Sequence, residues 1–238
     1  MPREIKSDLE HLFDFIDNYS LKHLITDVDF NQSIKQQHKR YFAYLTYIAE
    51  IQNYLDDSNY PIVFRNNQYS YIKESCSDMG ISFFSTFHGS YKSSKLLLRS
   101  SIETFFKGFC LDEISNIDTE TSMFRMFDNI KGLDFFSNNP LTLAVFNKIH
   151  QSYKLLCQDV HTATVHNMAN ISALNYFPSF NKSEAESVCK YTINLIPCYL
   201  VLLLLKYNAQ FHKFHHINKE IIMEPISRKY RPKIYNID

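Results

Sequence analysis

The chain has 238 residues, with 25 Lys plus Arg against 25 Asp plus Glu, a formal net charge of zero. That balance excludes a globally basic nucleic-acid coat protein and an acidic tail protein, though it leaves room for a local basic patch. Hydrophobic residues make up 45%, enough for a sizeable core, while 4 Gly and 7 Pro are too few turn-formers for a fold of many short strands. Long helices are expected.

In chain order, Ile5, Leu9, Leu12, Phe13 and Ile16 recur at helical spacing over 5–17. Asp29 or Asn31 then opens a longer helix to about Leu55, with Tyr41, Leu45, Ile48 and Ile51 on one face. Residues 59–78 are the least helical stretch, with Pro61 and a turn-like Arg65-Asn66-Asn67-Gln68. The clearest periodicity runs from about Ser77 to Asp112, through Ile81, Phe84, Tyr91, Leu98, Ile102, Phe105 and Phe109, and a break or bend is expected at Gly89. A linker at Asn116–Thr121 leads to a short helix over Glu120–Ile130. Pro140 in a first turn opens a helix to about 161.

Lys182-Ser183-Glu184 opens the last long helix, expected to reach roughly His216. Its middle is apolar on all sides, so it belongs at the centre, with a kink at Pro197. The run Leu195–Leu205 is 11 residues, short of the roughly 20 a membrane span needs, so a buried helix without a membrane role is expected. The economical architecture is an all-α, single-domain bundle of six to seven helices over 1–216, followed by an extended basic C-terminal arm over 217–238.

Five Cys at 76, 110, 157, 189 and 198 form no CxxC pair, and Met1-Pro2-Arg3-Glu4 turns charged at once, unlike a signal peptide. Free thiols in a cytoplasmic setting are expected. No GxxxxGK[ST], GxGxxG, HExxH, GxSxG or EF-hand loop occurs, so no cofactor is expected. What remains is chemistry by His, Arg, Glu and Tyr on helices, or no chemistry.

Four groups of residues stand out. Arg99 and Glu103 are i,i+4 and can pair, with Lys92 and Lys107 extending the stripe. The plain alternative is a solvated charged face, but Leu96, Leu97, Leu98, Phe105 and Phe106 crowd it on both sides. Tyr153, Cys157 and His161 are spaced by four, with His150 on nearly the same side. His161 at a helix end can act as a titrating group or simply cap it. His166 is wrongly spaced to join His161 as a metal ligand on one turn. His212 and His216 could hold a metal, but only Glu220 is near as a third ligand, and a polar helix end is the simpler reading. Arg228, Lys229, Arg231 and Lys233 surround Tyr230, a pattern that suits phosphate and base contacts or docking of the arm on its own domain.

Leu98-Arg99-Ser100-Ser101-Ile102-Glu103 followed by Tyr153-x-x-Leu156-Cys157-x-x-Val160-His161 resembles a pattern in bacterial helical proteins related to the HEPN superfamily. There, one helix carries Arg-Ser-x-x-Glu and a later one ends in Tyr-x-x-Leu-Ser-x-x-Val-His. Cys157 stands here where Ser is usual, and the likeness covers about 80–165. It implies a helical bundle, often a homodimer, and a metal-independent RNase or RNA-binding effector of phage defence or toxin–antitoxin systems. The Arg-x4–6-His signature of the catalytic members is absent. A catalytic site would have to join Arg99 and His161 from separate helices. His161 would be general acid or base, Arg99 would stabilise phosphate charge, Glu103 would hold Arg99, and Tyr153 would orient His161. The competing expectation is a non-catalytic subunit that binds a protein partner, with these polar groups fixing helix register.

Overall fold

The computed structural model describes residues 2–18, 26–56, 64, 67–160 and 178–236, with backbone alone for 15–18 and 56. Among the described residues there are eleven helices and no strand. The all-α expectation therefore holds, with more helices than six or seven.

Helix α1 spans Arg3–Asn18 and buries Ile5 and Leu9. Helix α2 spans Val28–Asp56, and the Asp27 carboxylate caps it by accepting from the Phe30 amide at 2.9 Å. The long periodic stretch forms two helices, α3 at Gln68–Phe87 and α4 at Tyr91–Cys110, and α3 starts nine residues before the expected Ser77, taking in the second half of the segment read as least helical. The break falls at Gly89, whose φ of 78° is open to glycine at little cost and strained for other residues. A Cβ there would also strike the Ser179 backbone.

Short helices α5 (Met123–Lys131) and α6 (Asp134–Ser137) follow. The Ser122 hydroxyl, one residue past the expected linker, caps α5 by accepting from the Arg125 amide. Helix α7 runs Pro140–Val160, with Asn139 Oδ1 accepting from the Leu141 amide at 3.0 Å. Helix α8 runs Lys182–Lys206, capped by Asn181 and continuous through Pro197. It ends ten residues before the expected His216, because Tyr207 leaves helical geometry at φ −112°, ψ 41°. Helices α9 (Asn208–Phe211), α10 (His216–Met223) and α11 (Arg231–Tyr235) complete the chain.

Helix α8 is the central one, packing on α2, α3, α4 and α7. Its apolar window is long enough by composition to cross a membrane, and 67% of that window is buried in this bundle. The 11-residue run understated it because flanking Val188, Cys189 and Ile193 extend the apolar stretch. The Tyr199 ring stacks on Phe105 of α4 at 4.0 Å.

The expected extended arm is instead folded back. Ile221, Ile222, Met223, Ile226 and Ile234 are buried, and α10 lies against α2. Their apolar spacing outweighed the basic, Pro-containing composition that suggested an arm.

Helices α3 and α4 form an antiparallel hairpin with a seam of small polar residues. Gln68 Nε2 donates to the Gly108 carbonyl, Ser75 Oγ donates to the Ser101 carbonyl at 3.0 Å, and Ser82 and Ser94 exchange hydroxyl-to-carbonyl bonds at 2.9 and 3.0 Å. Gln68, Ser75 and Ser82 are seven residues apart, as are Ser94, Ser101 and Gly108. That repeat keeps the small residues facing one another along the whole contact.

Candidate functional site

The other flank of α4 carries long charged side chains. Lys95, Arg99 and Glu103 follow one another at i, i+4 and i+8, so they share a face. Helix α7 lies across this face in antiparallel sense, since Lys95 meets Asp159 while Glu103 meets Tyr153.

Glu103 Oε1 accepts from Arg99 Nε at 3.1 Å and from the Tyr153 hydroxyl at 2.9 Å. The Arg99 guanidinium also sits over the Tyr153 ring, 5.6 Å from its centroid. Two residues from α4 and one from α7, fifty positions apart, thus form one unit. Arg99 and Glu103 each keep about a quarter of their side-chain surface exposed (26%), so the pair is neither sealed nor fully solvated. Burial and the Glu103 carboxylate hold the Tyr153 phenol well above its usual range. Burial works against the Arg99 charge, but hydrogen bonding with Tyr153 and the Glu103 carboxylate outweigh it and raise its pKa. Tyr153 stays a neutral donor and Arg99 a cation.

The second unit lies one helical turn back. Lys95 is buried at 9% exposure, and its Nζ reaches Glu184 of α8 at 3.0 Å and Asp159 of α7 at 3.5 Å. The Tyr191 hydroxyl of α8 donates to Asp159 at 2.9 Å. One ammonium therefore ties together α4, the C-terminal turn of α7 and the first turn of α8.

Asp78 of α3 borders both seams. Its Oδ2 is buried without a hydrogen-bond partner. Burial raises its pKa, the neighbouring Glu74 and Glu103 carboxylates add to the rise, and a hydrogen bond to Ser100 opposes it.

Sequence reasoning brought Arg99, Glu103 and Tyr153 to one place and assigned Tyr153 differently. Its hydroxyl donates to Glu103 and so braces the Arg99–Glu103 pair, while its expected role of orienting His161 falls on a residue outside those described. His161 and His166 lie outside the described residues. Lys107 turns away to the Asp118 carbonyl at 3.0 Å, and Lys95 continues the charged face in its place. His150 packs as an aromatic, stacked on Phe127 at 4.4 Å, with burial lowering its pKa. Missed were Asp78, Lys95, Asp159, Glu184 and Tyr191. The i,i+4 step from Lys95 to Arg99 was visible, whereas the partners from α8 depend on tertiary packing.

Of the basic C-terminal residues, Arg228, Lys229 and Lys233 are exposed. Arg231 is turned inward, donating to the Ile226 carbonyl at 3.0 Å and the Glu224 carbonyl at 3.2 Å. Its expected RNA contact gives way to a fixed turn, because the folded tail leaves these carbonyls without helical partners. Lys229 and Lys148 flank the Tyr230 ring at 4.8 and 5.9 Å. Among the described residues no group of three or more His, Cys, Asp or Glu is placed to hold a metal ion, so His212 and His216 gain no third ligand.

No family model, no curated protein and no solved structure matches this chain.

Proposed function

We propose that this chain is a HEPN-like effector that cleaves or binds RNA without a metal, working in phage defence or a toxin–antitoxin system of the cytoplasm, as a homodimer. The observation that carries the reading is the Arg99–Glu103–Tyr153 unit. Two short motifs fifty residues apart, matched by resemblance alone, meet at one partly open seam. Arg99 held rigid by a carboxylate and an aromatic face is suited to stabilising charge on a phosphate in the transition state. His161, one residue beyond the described end of α7, is the proposed acid or base at the RNA 2′-hydroxyl and leaving 5′-oxygen. The exposed Arg228, Lys229 and Lys233, with Lys148 and Tyr230, supply a short basic and aromatic surface for the backbone.

The second reading is a non-catalytic subunit that binds a protein partner. The buried Lys95 favours it, because its carboxylate partners tie three helices together as a structural device would.

The deciding experiment is RNA cleavage in EDTA by wild type, Arg99→Ala and His161→Ala. EDTA-resistant cleavage lost in both variants supports the RNase. Cleavage retained by both removes these residues from any site. Absence of both cleavage and RNA binding in all three favours the partner-binding reading.

A further inference from the structure

Away from this seam, α1, α2 and α3 enclose an open cleft of about 310 Å³. That is near the lower end of the roughly 300–1,000 Å³ typical of small-molecule sites. Its polar side carries Asp8, His11, His38 and Tyr41, and its apolar side Phe83, Phe84 and Phe87. No lysine or arginine lines it.

The hydrogen bonding defines what the cleft offers. His38 is buried at 3% exposure, and its Nε2 lies 2.7 Å from Asp8 Oδ2. A carboxylate can only accept, so Nε2 carries the hydrogen. Burial pushes the His38 pKa down against the pull of Asp8, favouring the neutral ring. Nδ1 is then a lone-pair acceptor, and it is buried without a partner. Among the described residues His38 is the sole ion-pair partner of Asp8, whose side chain remains 45% exposed. The ring holds one carboxylate oxygen and leaves the negative charge facing the cleft. A half-exposed carboxylate and aromatic faces, with no lysine or arginine beside them, complement a ligand that donates. An ammonium has three donors and no acceptor, and aromatic rings attract it further.

We propose that this cleft binds a small primary ammonium on an apolar stem, with Asp8 taking the charge, His38 orienting Asp8, and Phe83, Phe84 and Phe87 taking the stem. The site is separate from the Arg99 seam and independent of the RNA reading.

The test is an NMR amide titration of the full chain with 2-phenylethylammonium and with its neutral counterpart 2-phenylethanol. Saturable shifts confined to α1, α2 and α3 are expected for the amine, with the alcohol at least about tenfold weaker, a difference of about 1.4 kcal/mol. Asp8→Asn should abolish the preference while the alcohol still binds. Should Asp8→Asn unfold α1, salt decides with the wild type alone: the amine weakens between low salt and roughly 0.5 M, where screening is strong, and the alcohol does not. Equal affinity for both probes, a preference that survives Asp8→Asn, or no binding of the amine at about 10 mM overturns the proposal, that concentration being weaker than any affinity of about −4 kcal/mol.

Discussion

On one flank of α4, Ser94, Ser101 and Gly108 meet Ser82, Ser75 and Gln68 of α3 out of contact with water. On the other flank, Lys95, Arg99 and Glu103 meet Asp159, Glu184 and Tyr153 where water still reaches most of the partners. The first seam holds by closeness, since its side chains are short, neutral and bonded to backbone carbonyls. The second holds by charge across longer side chains that keep part of their surface free. A site that must engage an anion needs the second kind. A hairpin that must present that face in a fixed register needs the first.

The sharpest way to break the comparison is to change size in the sealed seam. Ser101 Oγ lies 3.1 Å from Ser75 Oγ and 3.3 Å from the Tyr199 hydroxyl. Ser101→Leu adds atoms to a full interface, at about 1–3 kcal/mol, and takes the partner hydroxyl from Tyr199, at roughly 1–3 kcal/mol more. The expected loss is about 3–4 kcal/mol, lowering the melting midpoint by about 10 °C for a chain of this size. A drop of only a degree or two would mean the seam is loose. Gly108→Ala should act in the same direction, because its Cβ would lie 2.8 Å from the Gln68 carbonyl oxygen.

Next in size is Lys95→Met, which keeps the aliphatic stem and removes the charge. Breaking a fully buried ion pair costs about 3–5 kcal/mol. Here Asp159 and Glu184 keep 29% and 46% of their side-chain surface exposed and can rehydrate. About 1–2 kcal/mol is therefore expected, measured by urea unfolding. The gap to wild type should narrow in 1 M salt, whereas that of Ser101→Leu should not. Equal salt responses would erase the distinction between the seams.

Asp78 tests the border between them through pH. Its native pKa is raised, so the folded chain holds this proton more tightly than the unfolded chain. Its contribution to stability is then most favourable below the unfolded carboxylate range, near pH 4, and is lost as pH rises through the raised native value. Asp78→Asn removes that loss. It should stabilise by about 1 kcal/mol at pH 7, in keeping with the cost of an unsatisfied buried group. The gain should fade towards pH 4. Destabilisation at pH 7 would show that Asp78 makes a favourable ionic contact in the fold.

Much of α4 was legible in the sequence because both of its seams repeat locally. The Arg99–Glu103 pair follows from i,i+4 spacing, while the seven-residue step of Ser94, Ser101 and Gly108 stands in the sequence but gained meaning only from the α3 residues that face it. The break at Gly89 was signalled by glycine alone, and only the positive φ distinguishes a hairpin from a bend. Lys95 was on the correct face, yet its importance comes from Glu184, 89 residues away, and no spacing rule reports that. The C-terminal tail misled because charge and proline suggested an arm, while four of its five buried apolar side chains fall within Ile221–Ile226, a run too short to show a helical period.

The smallest expected change in stability belongs to Glu103→Gln, and it bears most on function. A partly exposed pair contributes about 0.2–1 kcal/mol, and the hydrogen bond from Tyr153 can pass to the glutamine carbonyl. Melting should therefore shift by no more than about 4 °C. Arg99, freed of its carboxylate partner, loses orientation while keeping its charge. If the seam is a phosphate site, metal-independent cleavage should fall at least about tenfold, since misplaced electrostatic groups are costly in the transition state. RNA binding should weaken far less. If the seam serves only to hold helices in register, a partner-binding assay and the melting curve should both stay close to wild type. A variant that melts normally but loses cleavage would place chemistry at the open seam, and one that melts normally and loses nothing would assign it to structure alone.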